Sequence, residues 1–421
     1  MTDRLKILVV SAQFPFPPRF GFATRVYQLA RQLAIRHDVT LLSYARPDER
    51  DHTAALAHEL RVRTVERDPG SVRMKRASQF ASVCSPEPFS CRAVRSERMQ
   101  RAITTLCTRE QFDVIQLESS LLCAFAFPPG ARLVLDEHNI EYEVFQRMCE
   151  GERSLARRAF NRVEHLRFRR FEQRWWSRVN GCVVTSEREV PIIQSHAPLT
   201  PVAAVPNGVD LDYFRPESNS PDPHTLVFNG ILTYRPNLDA AYHLVEDIWP
   251  EVLRRCPDAK LTVVGRGKSA DLRRLSRPGV VIAGEVPDIR PYLSAAAVVG
   301  VPIRIGGGTR LKVVEGLAMG KAMVSTSLGC EGVAVRDGEH LLVADDPQSF
   351  ARRVVDLFDT PAVGVMLGRA GRALIEREYS WELAGERLHM LYRRVVPRSH
   401  GSGALPVSLA TPASAAGGVA P

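Results

Sequence analysis

The segment spanning residues 305–326, IGGGTRLKVVEGLAMGKAMVST, combines residue types that could bind an anion. The consecutive glycines Gly306–Gly308 would let the backbone approach a ligand closely, and a helix beginning near Leu311 would direct free N–H groups toward that ligand. Arg310 and Lys312 add full positive charges at the same edge, which suits a polyanion such as a diphosphate. Glu315 lies about one helical turn further on, where it could accept hydrogen bonds from sugar hydroxyls. The alternative is an ordinary glycine turn with solvated basic residues.

A second polar cluster, DEHNIE, occupies residues 136–141 and contains three acids, a histidine and an asparagine. This composition suggests metal ligands, but a single histidine among carboxylates lacks the ligand spacing of a zinc site. His138 could instead form a hydrogen bond with a substrate or help to organise a reacting group. A structural role for His138 at the start of a helix is an equally open interpretation.

Both clusters lie at or after the ends of short apolar runs that predict β-strands. The predicted strands of the first half are Lys6–Ser11, Val39–Ser43, Val114–Leu117, Leu133–Asp136, Cys182–Thr185 and Val202–Val205. Those of the second half are Leu226–Asn229, Leu261–Val264, Val280–Ala283, Val298–Val301, Met323–Ser325 and Leu341–Val343. Helical patterns separate most of these runs, which predicts an α/β fold with parallel, doubly wound sheets. Ligands of such sheets bind at the carboxyl ends of the strands, where both clusters lie.

The composition divides the chain into two α/β domains. Residues 207–223, NGVDLDYFRPESNSPDP, are rich in turn residues and predict a linker between an N-terminal domain, residues 1–206, and a C-terminal domain, residues 224–379. Residues 380–397 predict a last amphipathic helix. The Gly/Ala/Pro/Ser-rich residues 398–421 predict a disordered tail.

The overall composition, 45% hydrophobic and 24% charged, is that of a globular protein, and no apolar run approaches the roughly 18 residues that a membrane-spanning helix needs. The apolar run Ile7–Val10 is too short for a secretory signal peptide, so we expect a cytoplasmic location. Eight cysteines without a CxxC pair argue against a disulfide framework and a structural zinc site. The formal net charge of +9 favours anionic partners.

Taken together, the motifs resemble those of GT-B-fold, retaining glycosyltransferases of family 4, the group 1 nucleotide-sugar-dependent enzymes of bacterial polysaccharide and glycoconjugate synthesis. The resemblance lies in the first strand and its glycine-containing loop, DEHNIEYE, VPNGVD, FNGI and GGGTRLKVVEGLAMGK, and it extends to about Val396. It implies two Rossmann-like domains that face each other across a cleft, with the active site between them. It also implies a nucleoside-diphosphate sugar as donor, with UDP or GDP as the expected nucleotide, and neither a metal nor any other cofactor.

Within this resemblance, Glu315 matches the ribose-binding glutamate of the family. Arg310 and Lys312 are the best local candidates for contacts with the diphosphate. An ordinary helix start with two basic residues would explain the same three side chains without a ligand, but their combination next to the glycines favours the functional interpretation.

The chain departs from the common family pattern at one residue. A second glutamate, which holds the donor sugar, normally stands eight residues before the first, and Gly307 occupies that place here. The resemblance then implies that backbone amides of Gly306, Gly307, Gly308 and Thr309 contact the donor instead. The departure concerns the choice of sugar and not the nucleotide end of the site.

Three further residues are assigned by the same resemblance. Arg235 is the one candidate for the arginine that commonly follows the first strand of the second domain, although a surface arginine before a helix-starting proline is an equal alternative. Gly21 lies in the loop that approaches the donor phosphate and acceptor, and a plain strand-to-helix connection is its alternative. His138 would lie at the active-site edge of the N-terminal domain.

Three familiar motifs are rejected as sites. GRGKSA at Gly265 resembles a dinucleotide fingerprint but stands alone, and GLAMGKA at Gly316 is one residue short of a phosphate loop. Asp210 and Asp212 form a DxD pair, but they lie in the predicted linker.

Residues 152–178 carry nine arginines and only three glutamates, and Trp175 and Trp176 stand near the end of the segment. A basic helix that ends in tryptophans could lie on an anionic membrane surface. The alternative, which we slightly favour, is a surface helix whose apolar residues pack inward. These apolar residues are Ala159, Val163, Leu166 and Phe171.

The sequence therefore predicts a metal-independent glycosyltransferase that acts on an acceptor glycan or a lipid-linked sugar, with possible peripheral membrane contact and no nucleic-acid partner. A nucleotide-sugar epimerase and a non-catalytic sugar-nucleotide-binding scaffold at the membrane remain alternatives. An epimerase would need paired catalytic groups around one sugar and no acceptor, whereas a scaffold would bind without turnover.

Overall fold

The computed structural model describes residues 4–67, 86–152, 154–217 and 221–396 of the chain. The tail predicted for residues 398–421 lies outside these residues. They form two parallel β-sheets with helices packed against them, as the alternation of apolar runs predicts. Within the described ranges, no helix combines the length and the apolar character needed to cross a bilayer.

The first sheet contains β1 (Lys6–Ser11), β2 (Asp38–Ala45), β3 (Arg61–Glu66), β4 (Val114–Glu118), β5 (Leu133–Glu137), β6 (Gly181–Val184) and β7 (Val202–Ala204). The strand order is β3-β2-β1-β4-β5-β6-β7, and all neighbours pair in parallel. The order reverses between β1 and β4, so their connections leave on opposite faces of the sheet and open a crevice at the carboxyl ends of the strands. β4 is buried along its whole length because helices cover both faces of the sheet.

The helices of this half are α1 (Gly21–Arg36), α2 (Arg50–Leu56), α3 (Phe89–Val94), α4 (Glu97–Arg109), α5 (Glu141–Glu150), α6 (Leu155–Trp176) and α7 (Val190–Gln194). Short 3₁₀ turns at Pro47–Glu49 and Ser120–Ala124 complete the connections. The DEHNIE cluster connects β5 to α5. His138 therefore lies between the carboxyl end of β5 and the start of α5.

The second sheet contains β8 (Asp222–Asn229), β9 (Lys260–Val264), β10 (Val280–Gly284), β11 (Ala296–Val301), β12 (Ala322–Ser325) and β13 (Leu342–Val343). Its order is β10-β9-β8-β11-β12-β13, again with parallel neighbours. The switch point lies between β8 and β11, and the glycine segment follows β11. The segment therefore lies at the crevice where such sheets bind ligands.

The helices of this half are α8 (Arg235–His243), α9 (Trp249–Arg255), α10 (Ser269–Leu275), α11 (Arg290–Ala295), α12 (Leu311–Ala318), α13 (Pro347–Asp359), α14 (Pro361–Glu378) and α15 (Trp381–Val395). A single wide turn, Leu244–Ile248, joins α8 to α9. The predicted start of α12 near Leu311 agrees with the structure.

Two elements differ from the sequence prediction. β8 begins at Asp222, inside the predicted linker of residues 207–223. β3 was not predicted, because it is a polar edge strand in which only Val62 and Val65 are buried. Val62 and Val65 pack on opposite faces of the sheet, and a strand with so few apolar residues leaves a weak sequence signal.

The last helix, α15, packs back on the first half of the chain. Trp381, Leu388 and Leu391 join the same core cluster as the residues of α1. The hydroxyl of Tyr392 donates a hydrogen bond to the side chain of Gln116 on β4. The chain thus crosses between the two halves twice, once through the linker and once before α15.

A buried arginine joins α1 to the ends of two strands. Nε and Nη2 of Arg25 donate to both carboxylate oxygens of Asp136 at 2.9–3.3 Å, and Nη1 donates to the carbonyl of Val205 and to Oδ1 of Asn207. Arg25 is 1% exposed and Asp136 is fully buried. Because every charged atom of the pair has a partner, the pair can persist in the interior.

The orientation of α6 contradicts the inward packing proposed for its apolar residues. Ala159, Val163 and Leu166 are exposed, and only Phe171 is packed against the core as expected. The buried face of α6 instead carries Asn161, Glu164, Phe168, Glu172 and Trp176.

Substitution of Arg25 by Met should destabilise the first half strongly, because it leaves the Asp136 carboxylate buried without a counter-charge. We expect a loss of about 3–5 kcal/mol in the free energy of unfolding measured by urea denaturation. Arg31→Met on the exposed side of the same helix, where Arg31 lies 3.6 Å from Glu59, should cost less than about 1 kcal/mol. Equal losses for the two variants would contradict this assignment.

Candidate active site

The glycine segment forms a loop that leads into the N-terminus of α12. Gly306 and Gly308 have φ angles of +112° and +73°, which disfavour any residue with a side chain. Among the described residues, no side chain accepts a hydrogen bond from the first turn of α12. The unpaired backbone N–H groups and the positive end of the helix dipole therefore face the crevice, where an anion would be stabilised.

Arg310 lies under this loop with most of its hydrogen-bonding capacity unused. Nη1 donates to the carbonyl of Gly307, but Nε and Nη2 are buried and have no acceptor among the described residues. Burial lowers the pKa of Arg310. A buried guanidinium with two unmet donors is costly in an empty site and is stabilised when an anion accepts from it.

Lys312 lies one residue into α12 and is held at the same edge. Its Nζ donates to the carbonyl of Asn229 at 2.6 Å and to Oδ1 of Asn237 at 3.0 Å, and lies 4.5 Å from the centre of the Phe228 ring. Burial, and then repulsion from Arg310, lower the pKa of Lys312 to about 7. A bound anion would favour its charged form.

Glu315 is partly buried one turn further along α12. Burial raises its pKa to about 7, and the nearby Lys312 opposes this shift. The part of the chain that the structure describes provides no hydrogen-bond donor to its carboxylate. Glu315 is therefore available to accept hydrogen bonds from a ligand, and the ribose contact that the resemblance implies stays a prediction.

His138 lies at the carboxyl end of the first sheet and is held by two contacts. Its Nε2 is 2.8 Å from Oε2 of Glu118, and its ring stacks on Phe22 at 4.5 Å. Glu118 is fully buried and also accepts from Nε2 of Gln116 at 2.6 Å. These contacts fix the orientation of the imidazole.

Sequence reasoning missed Glu118 and Phe22. Glu118 is the last residue of β4 and directly follows the predicted strand Val114–Leu117. Because functional side chains of parallel sheets follow the ends of strands, this position was a signal that could have identified it.

The N-terminal half fills the space beside the glycines. A Cβ on Gly308 would stand 2.4 Å from Oδ1 of Asn139 and 2.8 Å from the carbonyl oxygen of His138, and one on Gly307 would stand 3.1 Å from Cγ2 of Val144. Asn139 and Val144 thus approach the place where the family pattern has a second glutamate. Asn139 belongs to the DEHNIE cluster, but neither it nor Val144 was predicted to lie beside the loop, because that proximity is created only by the contact between the two halves.

Several polar contacts join the loop to the N-terminal half. The hydroxyl of Thr309 donates to the carbonyl of Thr185 at 3.1 Å, and Nδ2 of Asn207 donates to the carbonyl of Thr309 at 3.4 Å. Arg147 of α5 donates to the carbonyl of Gly306 at 2.6 Å and pairs with Glu331 at 2.7 Å. Thr309, which was predicted to contact the donor sugar nucleotide, therefore also has a structural role, because it joins the glycine loop to the N-terminal half.

The remaining predicted residues lie at the rim. A Cβ on Gly21 would stand 3.7 Å from Cδ1 of Leu311, so the loop before α1 does face the start of α12. Arg235 is partly exposed and pairs with Glu152 of the N-terminal half at 3.0 Å. The structure thus brings Arg310, Lys312 and Glu315 together on one helix, whereas Arg235 is engaged in a contact between the halves.

The DEHNIE cluster does place potential metal ligands together. Oxygen or nitrogen atoms of Glu118, Asp136 and His138 lie within 4.8 Å of one another. However, both carboxylate oxygens of Asp136 already accept from Arg25. The positive charge that this carboxylate needs is supplied by the guanidinium.

Inorganic pyrophosphate should raise the melting temperature of the protein, because it would bind only the folded site and meet the free donors of Arg310. Arg310→Leu should remove most of this increase in a thermal-shift measurement. The matched control is Arg304→Leu, since Arg304 lies on the same connection but pairs with Asp239 at 3.0 Å. An equal response of both variants to pyrophosphate would place the anion elsewhere.

Two protein-family models match the chain. The model described as Glycosyltransferase Family 4 matches residues 21–213, and the model described as Glycosyl transferases group 1 matches residues 223–360. The two matches meet at the predicted linker and together cover most of the chain.

Curated relatives match a shorter part. One relative is the GDP-mannose-dependent monoacylated alpha-(1-6)-phosphatidylinositol monomannoside mannosyltransferase of Corynebacterium glutamicum. The two sequences are 29% identical over 205 residues, and this aligned region covers 44% of this chain and 54% of that protein. The chain is 30% identical over 217 residues to the phosphatidyl-myo-inositol mannosyltransferase of Mycobacterium tuberculosis, which covers 48% and 55%. The chain therefore spans about half the length of these two curated relatives.

Solved structures match over nearly the whole chain. Sucrose-phosphate synthase from Thermosynechococcus elongatus has a TM-score of 0.69 at 17% identity and covers 93% of this chain and 99% of its own. The Anabaena HepE protein in complex with UDP and glucose has a TM-score of 0.65 at 15% identity and covers 92% and 99%. At these identities the likeness shows the fold, which is the GT-B arrangement of two Rossmann-like domains. From the two matched models and this fold, we conclude that the chain belongs to the group 1 glycosyltransferases of family 4.

Proposed function

We propose that the protein transfers a sugar from a nucleoside-diphosphate sugar to an acceptor hydroxyl, with retention at the anomeric carbon and without a metal ion. The observation that carries this proposal is the buried guanidinium of Arg310, whose Nε and Nη2 have no acceptor among the described residues and which lies at the uncapped N-terminus of α12. A diphosphate is an anion of the size and charge that this edge could stabilise.

Residues at the start of α12 would bind different parts of the donor. Arg310, Lys312 and the N–H groups of the first turn would stabilise the charge that develops on the departing diphosphate. Glu315 would accept hydrogen bonds from the ribose. These positive groups would take the part that a divalent cation plays in metal-dependent transferases.

The N-terminal half would hold the sugar and the acceptor. Asn139 approaches Gly308 and offers an amide to sugar hydroxyls where the family's second glutamate is absent. The acceptor hydroxyl would approach from the side of His138, whose ring is fixed by Glu118 and Phe22. In the reaction, the bond between the anomeric carbon and the diphosphate oxygen would break, and a bond to the acceptor oxygen would form on the same face of the sugar. The proton of the acceptor hydroxyl would pass to the departing diphosphate.

The relatives support a choice of first substrates to test. The corynebacterial relative is named as GDP-mannose-dependent, and the Anabaena structure contains UDP and glucose. Two relatives are named for acceptors based on phosphatidylinositol. We therefore propose UDP or GDP as the nucleotide and a lipid-linked sugar or glycan as the acceptor, in the synthesis of a glycoconjugate.

The wild-type protein should release nucleoside diphosphate from UDP-glucose or GDP-mannose when an acceptor such as phosphatidylinositol is added, and EDTA should not change the rate. Glu315→Ala should lower kcat/KM by about tenfold to a hundredfold, because hydrogen bonds to a charged group contribute about 1.5–3 kcal/mol each.

The control for this assay is Glu382→Ala, which removes an exposed glutamate on α15 and should leave the rate unchanged. Binding of the donor without any turnover over a range of acceptors would favour a scaffold. Full activity of a folded Glu315→Ala variant, or a complete requirement for a divalent metal, would contradict the proposed site.

A further inference from the structure

The solvent-facing side of α6 carries apolar residues, although such a side of a helix is usually polar. Leu155, Ala159, Val163 and Leu166 are spaced by three or four residues and therefore lie on one side of the helix. The exposed fractions of Leu155, Val163 and Leu166 are 81%, 44% and 46%. We call this side, together with the flanking residues Arg158, Arg162, Arg169 and Arg170, the outer face of α6.

The orientation of this face is fixed by polar contacts on the opposite side of the helix. Glu172 accepts from the backbone N–H groups of Glu141 and Tyr142 at 2.9 and 3.1 Å and so caps α5. Glu164 accepts from the N–H group of Phe89 at 2.8 Å, and Nδ2 of Asn161 donates to the carbonyl of Met148 at 3.2 Å. Rotation of α6 to bury its apolar side would break all of these bonds.

The arginines of the outer face are not neutralised. Within the described ranges, no carboxylate lies within 4.0 Å of the guanidinium of Arg158, Arg162, Arg169 or Arg170. Three of these arginines, with Leu166, line a groove between α5 and α6. The groove also contains the carboxylate of Glu150 and the side chains of His165 and His196, so its charge remains predominantly positive.

We infer that the outer face of α6 docks the protein on an anionic lipid bilayer. An apolar stripe flanked by arginines matches the boundary between acyl chains and phosphate headgroups, in which the apolar side chains insert and the guanidinium groups bind phosphates. A second copy of the chain is a poorer occupant, because a two-fold contact through this face would place its arginines against the same arginines of the partner.

The tryptophans at the end of α6 do not contribute to this surface. Trp176 is fully buried and donates to Oε1 of Glu137 at 2.9 Å, and Trp175 is partly buried beside Arg178. The apolar contact with lipid is instead assigned to the first three turns of the helix.

The position of α6 also suits a membrane-bound acceptor. Its neighbour α5 forms one wall of the groove and on another side contacts the glycine loop through Arg147 and Val144. Docking through α6 would thus place the headgroup region next to the helix that borders the candidate active site. This consequence for the acceptor rests on the proposed function, whereas lipid binding itself does not.

The test is co-sedimentation of the full chain with vesicles of phosphatidylcholine, alone or mixed with phosphatidylglycerol. The wild-type protein should bind the mixed vesicles and bind less at high salt. R162E/R169E should lower the partition coefficient at least about tenfold, since both substitutions replace a charge that an anionic surface attracts with one that it repels. V163Q/L166Q should also weaken binding, because it removes the apolar contact.

The matched control is M366Q/R369E, which makes the same kind of change on the exposed side of α14 and should leave vesicle binding unchanged. The melting temperatures of all variants should match that of the wild-type protein, since the changed side chains are exposed. Equal binding to both kinds of vesicle, or wild-type binding by R162E/R169E, would overturn the inference. Absence of vesicle binding together with a dimer that V163Q/L166Q dissociates would assign the face to a second copy.

Discussion

The buried ion pair between Arg25 and Asp136 is the constraint on which the arrangement of the site depends. It fixes Asp136 near the carboxyl end of β5, and His138 follows two residues after Asp136. The same guanidinium binds Val205 and Asn207, and Asn207 in turn donates to the carbonyl of Thr309 in the glycine loop. One side chain of α1 thereby connects the DEHNIE cluster, the linker and the glycine loop of the other half.

Arg25 and Arg310 are both largely buried, but they differ in how many of their guanidinium N–H groups have an acceptor in the protein. Arg25 has carboxylate, carbonyl and amide acceptors, so its interior position is explained by the protein alone. Arg310 has one protein acceptor and two nitrogens without any among the described residues. Burial of a charge needs compensation, and the two unmet donors of Arg310 are the reason for proposing an anionic ligand there. The lowered pKa of Lys312 and the raised pKa of Glu315 follow from the same desolvated environment.

Local sequence patterns predicted the parts of the molecule that depend on local physics. The strands of the second sheet are nearly continuous apolar runs, and the start of α12 follows from its glycines and charges. Local patterns were weaker for the polar edge strand β3, which was not predicted, and for Glu118, whose place at the end of a strand was the only indication of a role at the site. Contacts between the halves, such as Asn139 beside Gly308, join residues far apart in the chain and left no local pattern. The direction of α6 was predicted wrongly because its buried acids cap backbone groups of other helices, which outweighs the burial of a few apolar side chains.

The most direct test of the central claim is a crystal structure of the protein with a bound nucleoside diphosphate. The account predicts phosphate oxygens within about 3 Å of Nε or Nη2 of Arg310 and near the first turn of α12, with the ribose hydroxyls on Glu315. A nucleotide bound elsewhere, with Arg310 still bonded only to the carbonyl of Gly307, would contradict it.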